Sequence, residues 1–269
     1  VSMNANFPEF MDGIQFMNYY NMADLMDQLA NGSITDRSQY VPKFNQEMFK
    51  KVANNDPTDG YDNYDYIGKV FGTGMTTKHT VSMQGGTENH TYYASIGYLG
   101  QEGNIDNFKY NRYSMRFNLE SKLAKYWTLQ MGASGFVSDN KQPGYNSGGA
   151  DNGTYEAGYM SIAHQTIAMH PYLSPMMDGY YTGVLSNNGS NPNSPLAAIY
   201  QSGYKKTTGI DIRSNISLQF DFPWVKGLSA KVTGAYDYSN SNNKNLDTPF
   251  KVQQYNKTDG TFTLVQGEK

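Results

Sequence analysis

The sequence predicts an all-β protein, in which antiparallel strands cross a membrane as part of an up-and-down transmembrane β-barrel. Three observations predict this class: long segments in which apolar and polar residues alternate, connections that are either short or very long, and a composition rich in Tyr and Gly. The chain has 269 residues, including 23 Tyr and 27 Gly, and only 17% are charged. We expect about seven strands, with long extracellular loops that contain short helices.

Five segments alternate with a period of two, which gives each predicted strand one apolar and one polar face. In one of them, Met115, Phe117 and Leu119 are apolar and the residues between them are polar. These segments reach about 9 to 13 residues, close to the about 9 to 11 that a tilted membrane-spanning strand needs. The five segments are 92–98, 112–120, 127–137, 210–222 and 228–238.

The connections between the segments alternate in length, with tight turns at 85–89, 121–125 and 223–227. Outer-membrane barrels have short periplasmic turns and long extracellular loops. We therefore interpret residues 1–269 as part of one barrel domain, with extracellular excursions at about 8–78 and 139–206. Both tryptophans, Trp127 and Trp224, fall at short-turn ends, where an indole can sit at the membrane interface.

The excursions carry helical patterns at 15–29, 46–53 and 154–168, and their tyrosines suit an adaptable binding surface. We predict that the tyrosines of the second excursion contact the substrate. The alternative is that they only pack the loop against itself. The predicted contact residues are Tyr145, Tyr155, Tyr159, Tyr172, Tyr180 and Tyr181.

A soluble β-sandwich with one solvated face would alternate in the same way. In a barrel, however, the polar face turns toward a wet lumen, where charged side chains can form a network. The residues that would form it are Arg112, Arg116, Asp211, Arg213 and Asp221.

Composition and motifs exclude several kinds of chemistry. The absence of Cys removes disulfides, thiolate zinc sites and cysteine nucleophiles, and a pI near 5.8 without a basic cluster gives no footprint for nucleic acid. Hydrolase, zinc-protease and nucleotide-binding motifs are missing. The acidic run Asp56, Asp59, Asp62 and Asp65 departs from calcium-loop spacing. We therefore predict no catalytic residue, no metal site and no cofactor.

One stretch, residues 79–135, resembles the barrel region of the SusC/RagA-type TonB-dependent outer-membrane transporters of Bacteroidota. A strand that ends in a double glycine is followed by a YYxSxGYxxQEG strand and an RxxxRxNLxxKxxKW hairpin. The likeness extends to most of the chain apart from the large loops. The matching residues are Gly85, Gly86, Tyr92, Tyr93, Ser95, Gly97, Tyr98, Gln101, Glu102, Gly103, Arg112, Arg116, Asn118, Leu119, Lys122, Lys125 and Trp127.

The resemblance implies a closed barrel of about 22 strands with a plug domain inside it, energy from TonB, and a SusD-like surface lipoprotein at the extracellular mouth. We expect this chain to be an internal piece of a longer protein and to lack the plug. The resulting hypothesis is that the chain is part of an importer of glycans or peptides in the cell outer membrane. The alternatives are a secreted sandwich that acts as a binding module or adhesin, and a secreted glycosidase.

Overall fold

The computed structural model describes residues 2–4, 10–55, 57–145, 155–185, 192–257 and 259–266. The chain divides into two compact units. Unit 1 comprises Val1–Asn4, Thr73–Gln142 and Lys205–Asn245, and unit 2 comprises Ala5–Gly72, Pro143–Tyr204 and Leu246–Lys269.

Strands account for most of the regular structure in the described residues. They are β1 Ser2–Asn4, β2 Gly74–Gly86, β3 His90–Glu102, β4 Lys109–Ala124, β5 Trp127–Pro143, β6 Met176–Met177, β7 Tyr180–Leu185, β8 Pro192–Asn193, β9 Gly203–Asp221, β10 Ser229–Asp247, β11 Lys251–Asn256 and β12 Thr261–Gln266. The α-helices are α1 Gly13–Ala30, α2 Gln46–Asn54, α3 Tyr66–Val70, α4 Tyr155–Ala168 and α5 Pro195–Tyr200. Within the described residues, none of the helices has both the length and the apolar character needed to span a bilayer.

Unit 1 is built on a seven-stranded sheet with the order β1-β2-β3-β4-β5-β9-β10. The pairs from β1 to β5 are antiparallel. Strands β9 and β10 are also antiparallel. Ser217 contacts Thr233 and Thr207 contacts Asn243, so residue numbers fall along β10 as they rise along β9. The prediction of a mostly antiparallel β fold is confirmed. The strands run farther than the alternation indicated, since β4 spans 109–124 rather than 112–120.

Unit 2 holds a five-stranded sheet that includes β12-β11-β7-β6, with β8 paired to β7. Strands β7 and β11 are parallel, and Val252 pairs with Tyr181. The expectation of a purely antiparallel up-and-down arrangement is therefore corrected for this sheet. Segments that follow each other closely can form antiparallel hairpins, whereas β7 and β11 are far apart in the chain and meet only through tertiary packing.

Helices α1, α2 and α4 of unit 2 lie where the sequence predicted them, whereas α3 and α5 were not predicted. Helix α1 begins at Gly13 because Asp12 accepts a hydrogen bond from the backbone N–H of Gln15 at 2.7 Å, while the Gln15 side chain accepts from the Asp12 N–H. Such a capping box satisfies two donors of the first turn. With 18 residues, α1 is longer than the short helices we expected.

Unit 2 has a conventional hydrophobic core. Its fully buried side chains include Met17, Val52, Ile162, Leu173 and Val252. In unit 1, by contrast, the buried apolar side chains of the described residues are Ile105 and Phe108, within the connection between β3 and β4. The sheet of unit 1 therefore lacks a core of its own on either face.

Candidate functional site

The register of unit 1 places its apolar side chains in rows that cross the sheet. In one row, Val81 on β2 faces Ile96 on β3, which faces Met115 on β4. Directly opposed residues of antiparallel strands point to the same side of a sheet. The alternation seen in each separate segment thus becomes one continuous apolar face.

This apolar face is open. The exposed fraction is 68% for Val81, 66% for Ile96 and 76% for Val232. Contiguous apolar patches exposed on soluble proteins are rarely larger than a few hundred Å², and larger ones usually mark an interaction surface. A face that continues across several strands therefore needs an apolar environment.

Aromatic side chains border the face at the short-turn end. The Trp127 ring lies 4.6 Å from the Phe220 ring, and Phe222 lies 5.0 Å from Phe220 and 5.7 Å from Trp224. Trp127 and Trp224 are both exposed. Both tryptophans thus lie at the short-turn ends of the strands, where the sequence placed them.

A second aromatic row crosses the sheet near the other end of the strands. His79 stacks on Tyr98 at 6.3 Å, and Tyr98 contacts Tyr113 at 5.1 Å. Tyr113 faces Val137, which is ten residues beyond Trp127 on β5. Ten residues extend about 33 Å along a strand, which projects to about 25 Å at a tilt of about 40°. The separation of the two rows therefore matches the height of the apolar band of an outer-membrane barrel.

Charged groups follow directly after the second row. Asp139 continues the same side of β5 past Val137, and its carboxylate pairs with the Lys206 ammonium at 2.7 Å. On this side of β5, the apolar band thus ends at Val137, and the next side chain on that side is charged.

The opposite face of the sheet is polar and contains two open depressions. The first, about 460 Å³, has Arg112, Arg116, Arg213 and Asp211 among its lining residues. The second, about 620 Å³, lies toward the short turns and presents amides. The period-two alternation predicted the charged residues on this face, but the sequence analysis missed the group of amide side chains in the second depression. It comprises Gln84, Asn118, Gln130 and Asn215, which share one face and could have been found by the same parity.

The predicted substrate-binding tyrosines fall in unit 2 and separate into two settings. Tyr145 and Tyr181 are half-buried and pack against the cluster of Ala197, Phe250 and Val252. Tyr172 is only 3% exposed, so its ring is part of the interior and is closed to a ligand in this conformation.

Two of the other predicted tyrosines are partly accessible. Tyr159 on α4 and Tyr180 on β7 are half-buried. The backbone of Tyr155 begins α4, and its side chain lies outside the described residues.

Burial shifts the pKa values of two side chains among the packed aromatic rings of unit 2. The His170 ring stacks on Tyr172 at 5.2 Å, and burial together with the charge of Lys257 lowers the pKa of His170 to about 4. Tyr66 donates a hydrogen bond to the Ser174 carbonyl oxygen at 3.0 Å, and burial raises the pKa of its hydroxyl well above the usual value. Both groups are therefore neutral at physiological pH.

The aspartates of the acidic run have structural partners. The Asp65 carboxylate accepts from the Gly68 N–H at 2.8 Å and caps α3, and Asp59 pairs with the Lys51 ammonium at 3.3 Å. Asp62 is half-buried, and desolvation raises its pKa. Asp56 lies outside the described residues. In the part of the chain that the structure describes, acidic and histidine side chains form no group that could hold a metal ion.

Comparison with known proteins places the chain beside one class of transport protein. No family model matches it. The TonB-dependent receptor SusC of Bacteroides thetaiotaomicron is 25% identical over 210 residues, which cover 72% of this chain and 20% of SusC. The TonB-dependent receptor P26 of Formosa agariphila is 28% identical over 182 residues, or 62% of this chain and 17% of that receptor.

Solved structures show a similar fold. A structure of the RagAB peptide transporter matches with a TM-score of 0.53 at 21% identity, over 93% of this chain and 27% of that one. The RagAB peptide importer in its open-open state matches with a TM-score of 0.50 at 21% identity, over 89% and 27%. These matches confirm the resemblance to SusC/RagA-type TonB-dependent receptors. The chain spans about a fifth of the length of the curated relatives it matches.

Proposed function

We propose that this chain forms part of the barrel wall of a TonB-dependent importer in the cell outer membrane, which takes up glycans or peptides. The apolar face of unit 1 contacts lipid and the polar face lines the aqueous interior. On this proposal the protein binds and moves its substrate without covalent chemistry, and it needs no cofactor.

The open apolar band between two aromatic rows is the observation that carries the proposal. Burying apolar surface stabilises a protein by about 25 cal/mol per Å². A chain that left side chains such as Val81, Ile96 and Val232 in water would forgo that gain, whereas lipid contact recovers it. The soluble sandwich requires the same residues to be buried against a second layer, and their exposure argues against it.

The polar backbone edges require more strands than this chain supplies. The seven strands of unit 1 form a sheet with β1 and β10 at its two ends. Unpaired backbone groups at a sheet edge are strongly unfavourable in hydrocarbon, so only a closed barrel is stable there. On this proposal the rest of a longer protein supplies the closing strands and the plug domain, and unit 2 is made largely from the extracellular excursions.

For substrate contact we propose the accessible tyrosines of unit 2. Tyr181 lies 6.3 Å from the Tyr200 ring in a stacked arrangement, and Tyr180 is its partly exposed neighbour. Flat rings with polar tips suit both sugars and peptide groups. Tyr145, Tyr155 and Tyr159 remain in the proposal, whereas the buried Tyr172 packs against Phe44 and Tyr255 inside unit 2.

A SusD-like lipoprotein and TonB are the proposed partners. Helix α1 exposes Tyr19, Met22 and Met26 to about the same high degree, and their spacing of three and four residues puts them on one face. Methionine-rich surfaces adapt well to partners. We therefore propose this face of α1 as part of the surface that meets the lipoprotein.

The proposal is tested on the full-length protein. We expect it to pellet with outer membranes, to require detergent for extraction, and to migrate differently on a denaturing gel with and without boiling. If the full-length protein stays in solution without detergent and its gel mobility is the same with and without boiling, the sandwich alternative is right.

A further inference from the structure

We propose that the depression lined by Arg112, Arg116 and Arg213 is a binding site for a carboxylate group carried by a solute that moves along the polar face of unit 1. It rests on the proposed function only in that this face meets water. The lining contains three arginines and one acidic residue, Asp211, around a space of about 460 Å³.

Arg112 is held in place without an anionic partner. Its guanidinium carbon lies 4.1 Å from the centre of the Phe136 ring, a cation–π contact that orients the plane of the group. Its Nε atom is buried and has no hydrogen-bond partner among the described residues. The residue as a whole is half-buried, so a ligand carboxylate approaches the part of the guanidinium beyond Nε, which the ring orients and for which the structure describes no anionic partner.

Arg213 forms an ion pair with Asp211, and a bound carboxylate would compete with Asp211 for it. Its Nε lies 3.1 Å from the Asp211 carboxylate, and its side chain is 68% exposed. An exposed ion pair of this kind is worth at most about 1 kcal/mol. A second carboxylate can therefore share Arg213 without first breaking a strong interaction.

Arg116 completes the site on the same strand as Arg112. It lies four residues beyond Arg112 on the same side of β4, about 13 Å along the strand. Its side chain is exposed, and it forms no ion pair with any residue in the described ranges. Ser95 and Ser134 also line the space and offer hydroxyl donors, whereas the Ser114 hydroxyl donates to the Gly97 carbonyl oxygen at 3.5 Å.

Carboxylate is the chemistry that fits best. Planar guanidinium groups bind carboxylates through two parallel hydrogen bonds. Arg116 and Arg213 are exposed and Arg112 is half-buried, so the site can hold an anion weakly and release it. Peptides with acidic residues or a free C-terminus and sugars with acid groups both carry this group.

The test uses the purified full-length protein in detergent, with glutarate as probe and the uncharged glutaramide as its matched control. Saturation-transfer NMR detects weak binding of small molecules. We expect a signal from glutarate and little from glutaramide, with a loss of glutarate signal as salt rises toward 1 M, because the Debye length falls to about 3 Å.

Substitutions locate the signal on the protein. Arg112→Gln and Arg116→Gln together should weaken glutarate binding at least tenfold, whereas Lys226→Gln, an exposed change at the short-turn end, should leave it unchanged. Equal signals from the two probes, or a glutarate signal that survives the arginine changes, would overturn the proposal.

A third result would also overturn it in this form. If glutarate binds only after an acidic residue elsewhere in the full-length protein is neutralised, the arginines already hold an internal carboxylate. Membrane pelleting and the gel shift on boiling are recorded for every variant, so a failure of the importer proposal is recognised separately from a failure of this site.

Discussion

Unit 1 and unit 2 contain the same kinds of apolar side chain but place them in different surroundings. In unit 2, Leu173 and Val252 are completely buried and touch other parts of the same unit. In unit 1, Val81 and Ile96 stand in equally regular rows and are largely exposed. The difference shows that apolar patterning alone does not identify a core. It identifies a surface that avoids water, and the structure then shows whether protein covers that surface.

The core of unit 2 should respond to truncation as a core does. Leu173→Ala removes a fully buried side chain, and we expect it to destabilise unit 2 by about 2–5 kcal/mol, since a cavity remains. Hydrogen exchange of the unit 2 amides in the full-length protein measures the change. Val81→Ala is the matched control in unit 1 and should leave those amides unaffected. Equal effects of the two changes would erase the distinction between the units.

The apolar face of unit 1 should reject charge although it is exposed. Phe117 lies near the middle of the band, and Asn118 next to it points to the polar face. In lipid, Phe117→Arg should cost about 2–4 kcal/mol, whereas Asn118→Arg should change little. The fraction of full-length protein that pellets with outer membranes and shifts on boiling measures both. If Phe117→Arg is tolerated as well as Asn118→Arg, the band does not contact lipid.

The aromatic core of unit 2 should also respond to acid. The pKa of His170 is about 4 in the folded state and about 6.5 when the chain is unfolded. Between these values the unfolded chain binds the proton more readily, so stability is complete above about pH 6.5 and falls as pH drops toward 4. The loss can reach about 3 kcal/mol.

Replacement of His170 isolates this effect. His170→Phe keeps an aromatic ring beside Tyr172 and removes the titrating group, so the variant should show a flatter pH dependence of hydrogen exchange in unit 2 between pH 4 and 6.5. An unchanged slope would mean that another group is responsible.

The period-two patterns were sufficient to predict the sheet of unit 1, because each strand there carries its own alternation. They were insufficient at strand ends, where residues 121–124 of β4 are polar or mixed on both faces and the alternation fades. The pairing of β7 with β11 could not be predicted, because it joins two six-residue strands far apart in the chain. The same limit applies to the arginine site: parity placed Arg112 and Arg213 on one face, but the Phe136 ring beneath Arg112 emerges only from the three-dimensional packing.

A single hydroxyl provides the finest test of the packed unit. Tyr66 is buried, and its hydroxyl donates to the Ser174 carbonyl oxygen at 3.0 Å across 108 residues of sequence. Tyr66→Phe leaves that carbonyl without this donor, and we expect a loss of about 1 kcal/mol. Tyr64→Phe is the control, because the Tyr64 ring lies only 4.8 Å from the Tyr66 ring and its hydroxyl has no hydrogen bond within the described residues. Hydrogen exchange at Ser174 should therefore accelerate in Tyr66→Phe and stay unchanged in Tyr64→Phe. If both variants behave alike, the stability of unit 2 depends on ring packing there and not on this hydrogen bond.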